Sequence, residues 1–271
     1  MLQRNITPNI LAALADTPVV LVHGARQTGK TTLVREIAKA ERPADYITFD
    51  DPAIRATAQT DPQGFIESLD GPVVIDEVQR VPELALAIKA SVDRNRKPGR
   101  FLLTGSANVL LVPRLSESLA GRMEIQTLWP LSQGEIEGVR ESFIDLLFAA
   151  KPLKHATFRK KGMPLVDRVV RGGFPELMQR HDEERWRSWF SSYLDTILQR
   201  DVRELANIEG LTALPNLLAL LAARPGGLLN YADIARSVQM PQTTLKRYLA
   251  LLQMTFVTLH PSARFSDIFA A

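Results

Sequence analysis

The chain has 271 residues, of which 45% are hydrophobic and 23% are charged, and its formal net charge is +3. These values are typical of a globular protein, and the length favours two domains or one α/β domain with a helical addition. The absence of cysteine excludes disulfides, zinc–thiolate sites and cysteine nucleophiles. The first residues lack a signal-peptide pattern and no apolar run could span a bilayer, so we expect a cytoplasmic protein without membrane contact.

The first predicted elements are a strand, a glycine-rich loop and a helix. The apolar run Pro18–Val22 favours a buried strand, and Leu33–Lys39 favours a helix. Between them, residues 24–31 read Gly-Ala-Arg-Gln-Thr-Gly-Lys-Thr, a complete G-x-x-x-x-G-K-[ST] match, or Walker A motif. Such a loop directs backbone N–H groups at phosphate oxygens near the positive end of a helix, so the sequence predicts a bound nucleotide.

The side chains of this loop predict a magnesium nucleotide. We expect Lys30 to reach the β- and γ-phosphates, Thr31 to offer its hydroxyl to Mg²⁺, and Thr32 to contact the α-phosphate. The residues predicted to bind the nucleotide are Gly24, Ala25, Arg26, Gln27, Thr28, Gly29, Lys30, Thr31 and Thr32.

Strands and helices alternate after the loop. Predicted strands cover residues 46–49, 72–77, 100–104 and 123–128, with a helix at 82–94. This alternation predicts an α/β fold, a P-loop NTPase parallel sheet of the AAA type, with its ligand beyond the carboxyl ends of the strands. The third strand ends in Asp76-Glu77, which fits a Walker B segment. We expect Asp76 to support Mg²⁺ through water and Glu77 to polarise the attacking water.

Two further predictions concern the γ-phosphate and a neighbouring subunit. Small polar residues follow the strand at 100–104, and Ser106, or after it Thr104, is placed to sense the γ-phosphate, although helix capping explains them equally well. Arg114 and Arg122 are candidates for an arginine finger that acts across a subunit boundary in a homo-oligomer, with Arg122 preferred.

Past Pro130 the pattern becomes helical. Helices are predicted at 134–149, 165–170 and 185–205, and the segments 231–238 and 241–249 have the spacing of a helix-turn-helix. Residues 256–259 are predicted to form the first strand of a wing. The predicted domains are a P-loop ATPase domain (1–132), a helical region (133–212) and a truncated winged-helix-like unit (213–271).

The helix-turn-helix leaves two interpretations open. The apolar residues expected to form its core are Ile234, Val238, Leu245, Leu249 and Leu252. The polar residues expected to point outward from its second helix are Gln242, Thr243, Lys246 and Arg247. They would contact DNA, or the unit would serve as a lid or a protein contact.

Together these residues resemble a family of prokaryotic AAA-type ATPases whose C-terminal region is the domain of unknown function numbered 4143. The segments that carry the resemblance are Gly24–Leu33, Phe49–Pro52, Ile75–Leu84, Leu103–Ala107, Leu119–Arg122, Trp129–Ser132, Gly172–Glu176 and Gln199–Val202. The resemblance spans residues 4–260, with Gln79 as a specific marker, and it implies binding of ATP and its hydrolysis. Family members continue into a nuclease-like α/β domain, so we interpret this chain as a C-terminally shortened member.

The leading hypothesis is therefore an Mg-dependent ATPase that couples hydrolysis to movement of its helical and helix-turn-helix regions. The alternatives are a nucleotide-gated DNA-binding regulator with little turnover and an inactive truncated remnant. A small-molecule kinase is less supported, because no acceptor pocket is evident from the residues.

Overall fold

The computed structural model describes residues 2–105, 118–148, 163–202, 213–224, 226 and 229–259. It divides into two compact units, Met1–Ser188 and Trp189–Ala271. The first unit contains the glycine-rich loop, and the second contains the helix-turn-helix segment.

Within the described residues, the first unit is built on a five-stranded parallel sheet. Its strands are β1 (Val19–His23), β2 (Asp45–Thr48), β3 (Val73–Asp76), β4 (Phe101–Gly105) and β5 (Met123–Thr127). They lie in the order β2-β3-β4-β1-β5, and each pairing is parallel. The predicted α/β fold of a P-loop NTPase is confirmed, and β4 separates the strand before the loop from the strand that ends in Asp76.

The central strands are buried, and most of their side chains are apolar. All residues of β1, β3 and β4 are buried, whereas the edge strands β2 and β5 are largely half-buried. Because side chains alternate along a strand, each face of the sheet has its own apolar cluster. One cluster contains Leu21, Ile75 and Leu103, and the other contains Val22 and Val74.

Helices cover both clusters. They are α1 (Thr7–Asp16), α2 (Lys30–Glu36), α3 (Pro52–Thr60), α4 (Pro62–Glu67) and α5 (Leu84–Arg94). Side chains of α1 and α2 pack into the cluster around Val22, and those of α3, α4 and α5 pack into the cluster around Ile75. The loop between β1 and α2 is therefore anchored by a buried strand on one side and a packed helix on the other.

The helix predicted at 134–149 is wrong as a single element. The structure has α6 (Gln133–Glu137) and α7 (Phe143–Phe148), with Gly138 between them at φ 66°. Glycine adopts this left-handed conformation without steric cost and commonly ends a helix. Farther along, α8 (Leu165–Arg171) confirms the helix at 165–170, and α9 (Glu183–Thr196) continues as a π-helical segment, Ile197–Val202.

The second unit contains the predicted pair of helices. Its helices are α10 (Leu214–Ala222), α11 (Tyr231–Ser237) and α12 (Gln242–Met254). The expected core is confirmed, since four of its side chains are buried and Val238 packs against them. The side chains of Gln242, Thr243, Lys246 and Arg247 are exposed, as expected. In the described part of the chain, no helix is long and apolar enough to cross a membrane.

The wing strand predicted at 256–259 is wrong. Phe256 has a left-handed backbone at φ 59°. The backbone N–H groups of Val257 and Thr258 both donate to the carbonyl of Leu252, at 2.9 and 3.2 Å. These bonds fold the chain back onto the last turn of α12, so residues 256–259 form a turn instead of a strand.

A candidate nucleotide site

The glycine-rich loop passes very close to the segment after β5. A Cβ atom added at Gly24 would lie 2.2 Å from the carbonyl oxygen of Leu128. Only glycine avoids this clash, which explains the first glycine of the motif. Gln27 and Gly29 also have positive φ values, 60° and 93°, so the backbone turns tightly before α2 begins at Lys30.

Lys30 lies buried over the loop, with 6% of its surface exposed. Its Nζ donates to the carbonyl oxygens of Gly24 and Ala25, at 3.0 and 2.7 Å. The Thr28 hydroxyl donates to the same Ala25 carbonyl at 3.0 Å. The ammonium group is therefore held inside the loop, where phosphate oxygens are expected.

His23 ends β1 immediately before the loop. Its ring is buried, and Nε2 lies 2.8 Å from the Thr127 hydroxyl oxygen. Burial, and secondarily the charge of Lys30, lower the pKa of His23 below its ordinary value. The ring is therefore neutral at neutral pH.

Asp76 accepts hydrogen bonds from three hydroxyl groups. It ends β3 with 2% of its surface exposed. The Thr31 hydroxyl lies 3.2 and 2.9 Å from its two carboxylate oxygens, and the Tyr46 hydroxyl donates to Oδ2 at 2.7 Å. The Thr104 hydroxyl donates to Oδ1. The structure thus brings together Thr31 and Asp76, the two residues predicted to serve the metal.

Glu77 follows Asp76 in an unusual backbone conformation. Its φ of 59° is left-handed, which is uncommon for a residue with a side chain and is often found at functional sites. Its N–H donates to the Thr104 hydroxyl oxygen at 3.2 Å, and its carboxylate accepts a hydrogen bond from the Gln79 side chain. The Thr104 hydroxyl therefore links both acids of the Walker B segment.

The carboxylate of Asp76 and the hydroxyl of Thr31 offer oxygen ligands of the kind that Mg²⁺ prefers. Burial, and then the hydrogen bond and charge of Asp76, raise the pKa of Tyr46 to about 12. Tyr46 therefore stays protonated and acts as a donor to Asp76. Neither Tyr46 nor its contact with Asp76 was expected from the sequence, since its strand showed only an apolar pattern.

Arg122 does not lie at the loop of its own chain. It precedes β5, whereas the loop follows the carboxyl end of β1, and these two strands run parallel. Its guanidinium donates to both carboxylate oxygens of Asp93, at 2.5 and 3.1 Å, and this lowers the pKa of Asp93. A role in a neighbouring subunit stays a prediction. Ser106 and Arg114 lie outside the described residues.

Arg4 lies against the loop, although the sequence offered no signal for it. Its guanidinium donates to the carbonyl oxygens of Thr28 and Trp129, at 2.8 and 2.6 Å, and to Glu135 Oε1 at 3.2 Å. These partners are 24, 125 and 131 residues away along the chain. Only the folded arrangement brings them to Arg4.

A pocket of about 190 Å³ lies beside Gly29 and Thr32, at the start of α2. Its apolar lining comes from four separate parts of the chain, and the residues are Leu2, Leu33, Leu131 and Pro175. Pro175 belongs to the segment Gly172–Glu176, so that segment lies next to the glycine-rich loop.

Comparison with known proteins agrees with this arrangement. Residues 16–137 match the family described as an AAA domain. The matched residues contain the glycine-rich loop, Asp76 and all five strands of the sheet. Beyond this AAA domain, residues 164–266 match a domain of unknown function numbered 8612, so the number 4143 suggested by the resemblance is not confirmed.

The curated relatives are described as uncharacterized proteins. The uncharacterized proteins Rv2008c of Mycobacterium tuberculosis and Mb2031c of Mycobacterium bovis are each 34% identical to this chain over 268 residues, which is 98% of this chain and 54% of the relative. The uncharacterized protein MJ1544 of Methanocaldococcus jannaschii is 25% identical over 256 residues, covering 85% of this chain and 53% of that protein. The chain spans about half the length of the curated relatives it matches.

Among solved structures, the Walker-type ATPase paby2304 of Pyrococcus abyssi resembles this chain with a TM-score of 0.58. The match covers 97% of this chain and 92% of that protein at 16% sequence identity. At this identity the likeness shows a shared fold.

Proposed function

We propose that this protein binds ATP together with Mg²⁺, hydrolyses it, and uses the reaction to change the conformation of its helical and helix-turn-helix regions. The observation that carries the proposal is the contact between the Thr31 hydroxyl and the Asp76 carboxylate, at 3.2 and 2.9 Å, beside a buried Lys30. Thr31, the last residue of the Walker A motif, thus meets Asp76 of the Walker B segment at the carboxyl edge of the sheet.

Each group has a role in this proposal. Lys30 exchanges its bonds to the Gly24 and Ala25 carbonyls for bonds to phosphate oxygens, while loop N–H groups hold the same phosphates. Thr31 and Asp76 would hold Mg²⁺. When bound, the ion neutralises charge on the β- and γ-phosphate oxygens.

Glu77 is the general base. Its carboxylate accepts a proton from the water that attacks the γ-phosphorus, as the bond from that phosphorus to the leaving oxygen of ADP breaks. In this structure the carboxylate is bound by Gln79, so it must exchange that partner for water. Thr104 keeps the backbone of Glu77 in place during the exchange.

The pocket beside Gly29 and Thr32 is the proposed site for the adenine base. Aromatic bases bind well in apolar pockets with few polar groups, and Leu2, Leu131 and Pro175 provide such a lining. In a homo-oligomer, Arg122 of one subunit would stabilise charge at the site of the next, after releasing Asp93.

The experiment measures MgATP binding and phosphate release by the wild type, Lys30→Ala and Glu77→Gln. We expect Lys30→Ala to abolish both and Glu77→Gln to abolish release but keep binding. Matched controls are Lys39→Ala and Glu83→Gln, since both side chains are exposed. Wild-type protein that neither binds nor hydrolyses MgATP would refute the proposal and favour an inactive remnant.

A second candidate function is DNA binding by the second unit. The observation that favours it is the exposed polar face of α12, which contains Gln242, Thr243, Lys246 and Arg247. If this face contacts phosphates, Lys246→Ala with Arg247→Ala should weaken duplex binding and reduce its salt dependence, whereas Arg236→Ala on α11 should not. Unchanged affinity in the double variant would exclude this surface.

A further inference from the structure

Arg4, a buried arginine of the N-terminal segment, binds the backbone of the glycine-rich loop. Arg4 exposes 8% of its surface, and each of its three guanidinium nitrogens donates to an acceptor elsewhere in the first unit. One acceptor, the Thr28 carbonyl, belongs to the loop itself at 2.8 Å. The guanidinium also lies close to Gly29, because a Cβ added there would be 3.7 Å from Nη1.

The bond to Thr28 controls the direction of the next N–H group. A trans peptide is planar, with its C=O and N–H pointing in opposite directions. When Arg4 holds the Thr28 carbonyl toward itself, the Gly29 N–H points away from Arg4. Gly29 precedes Lys30 and has a positive φ of 93°. Because glycine has no Cβ and adopts many backbone conformations, the hydrogen bond from Arg4 restricts the orientation of this peptide.

We propose that Arg4 is a positioning residue for phosphate binding, because it locks the Thr28–Gly29 peptide with its N–H directed into the loop. The proposal rests on the proposed function, since it assigns a support to the same nucleotide site. It differs from that function in placing the support outside the motif, in the segment before α1.

Glu135 keeps Arg4 in position. Its Oε1 accepts from Arg4 Nε at 3.2 Å and from the Asn5 N–H at 2.6 Å, and its Oε2 accepts from the Ser132 N–H at 2.9 Å. The carboxylate therefore fixes the angle of the guanidinium as well as balancing its charge. Removal of one member of such a buried pair leaves the other charge uncompensated.

Lysine cannot replace this arginine. The planar guanidinium reaches three acceptors in fixed directions, whereas an ammonium is a single point of charge on a flexible stem. Arg4→Lys therefore keeps the charge and loses the geometry, which separates positioning from simple electrostatic attraction.

Arg42 provides a matched control. Its guanidinium also donates to two backbone carbonyls, those of Leu14 at 2.9 Å and Pro98 at 3.0 Å. Pro98 precedes β4, so this contact lies at the amino edge of the sheet, opposite the loop. Arg42→Lys thus removes a similar backbone tie without touching the nucleotide site.

The test compares the wild type, Arg4→Lys, Arg42→Lys and Lys30→Ala. Calorimetry measures the Kd of inorganic pyrophosphate and of MgATP, steady-state kinetics give KM and kcat, and thermal melting gives Tm. We expect Arg4→Lys to weaken binding of both ligands about tenfold and to raise KM equally, with kcat changed less than about twofold. Arg42→Lys should leave Kd and KM unchanged even if Tm falls.

A merely structural role for Arg4 would lower Tm in Arg4→Lys and leave both Kd values unchanged, and that result would overturn the proposal. If Arg4→Lys does not fold, Glu135→Gln takes its place, because it loosens the hold on Nε; we expect about threefold weaker pyrophosphate binding, and unchanged binding would also overturn the proposal.

The proposed function and this inference fail in different ways. Wild-type protein that binds neither pyrophosphate nor MgATP refutes both. Binding that is lost in Lys30→Ala but intact in Arg4→Lys refutes only the role of Arg4.

Discussion

The Thr104 hydroxyl offers a sharp test of the Walker B arrangement. It is fully buried, it accepts the Glu77 N–H at 3.2 Å, and it donates to Asp76. Thr104→Val keeps the shape of the side chain but leaves that N–H without its acceptor and Asp76 without one donor. Thr104→Ser keeps both bonds and removes one methyl group.

The two variants have different expected costs. An unsatisfied buried donor costs about 1–3 kcal/mol, and a hydrogen bond to a charged group contributes about 1.5–3 kcal/mol. We therefore expect Thr104→Val to lower the free energy of unfolding by about 3 kcal/mol. Loss of one buried methyl costs about 1 kcal/mol, so Thr104→Ser should be milder.

Denaturant unfolding measures both costs, and phosphate release measures the effect on the site. We expect Thr104→Val to lower kcat about tenfold, because Glu77 loses its backbone support, while Thr104→Ser stays within about twofold of the wild type. Thr60→Val is a control. In the described part of the chain, the Thr60 hydroxyl donates only to the carbonyl of Ala56, an exposed residue of α3. If Thr104→Ser proves as damaging as Thr104→Val, the hydroxyl is not the group that matters.

The other predictions concern the loop, the metal and pH. Gly24→Ala should abolish MgATP binding in calorimetry, because its Cβ would meet the Leu128 carbonyl at 2.2 Å; normal affinity would contradict the loop geometry. Tyr46→Phe should change the Mg²⁺ concentration needed for half-maximal binding of ATP by several-fold, since Asp76 loses a donor; an unchanged Mg²⁺ titration would show that Tyr46 has no influence there. His23 has a lowered pKa when folded, so the unfolded state binds more protons, and the free energy of unfolding should fall as pH drops below about 6.5. Denaturant unfolding at about pH 7.5 and about pH 5.5 spans the range in which histidine titrates. The free energy of unfolding should differ less between these two pH values in His23→Gln than in the wild type.

The local sequence was sufficient to predict the glycine-rich loop and the strand that ends in Asp76. A glycine-rich loop is specified by contiguous residues, because each glycine meets a local steric demand, as at Gly24. Buried parallel strands are also readable, since both faces need apolar side chains, as along β3.

Two predictions of secondary structure from the local sequence were wrong, because short-range interactions favour another conformation at each place. Residues 256–259 have the β-branched and aromatic character of a strand, but the amides of Val257 and Thr258 bond the Leu252 carbonyl at the end of α12. The apolar pattern at 134–149 suggested one helix, whereas Gly138 adopts a left-handed conformation and ends α6.

The sequence by itself determined the strands of the parallel sheet, the glycine-rich loop before α2 and the position of the acids Asp76 and Glu77 at the end of β3. Only the tertiary structure decided which side chains support them. Tyr46 and Thr104 reach Asp76 because β2 and β4 are the neighbours of β3 in the sheet. The sequence of a single strand does not determine which strands lie beside it. Arg4 reaches the loop because folding brings the N-terminal segment beside Trp129 and Glu135, more than a hundred residues away, and no local pattern encodes such a contact.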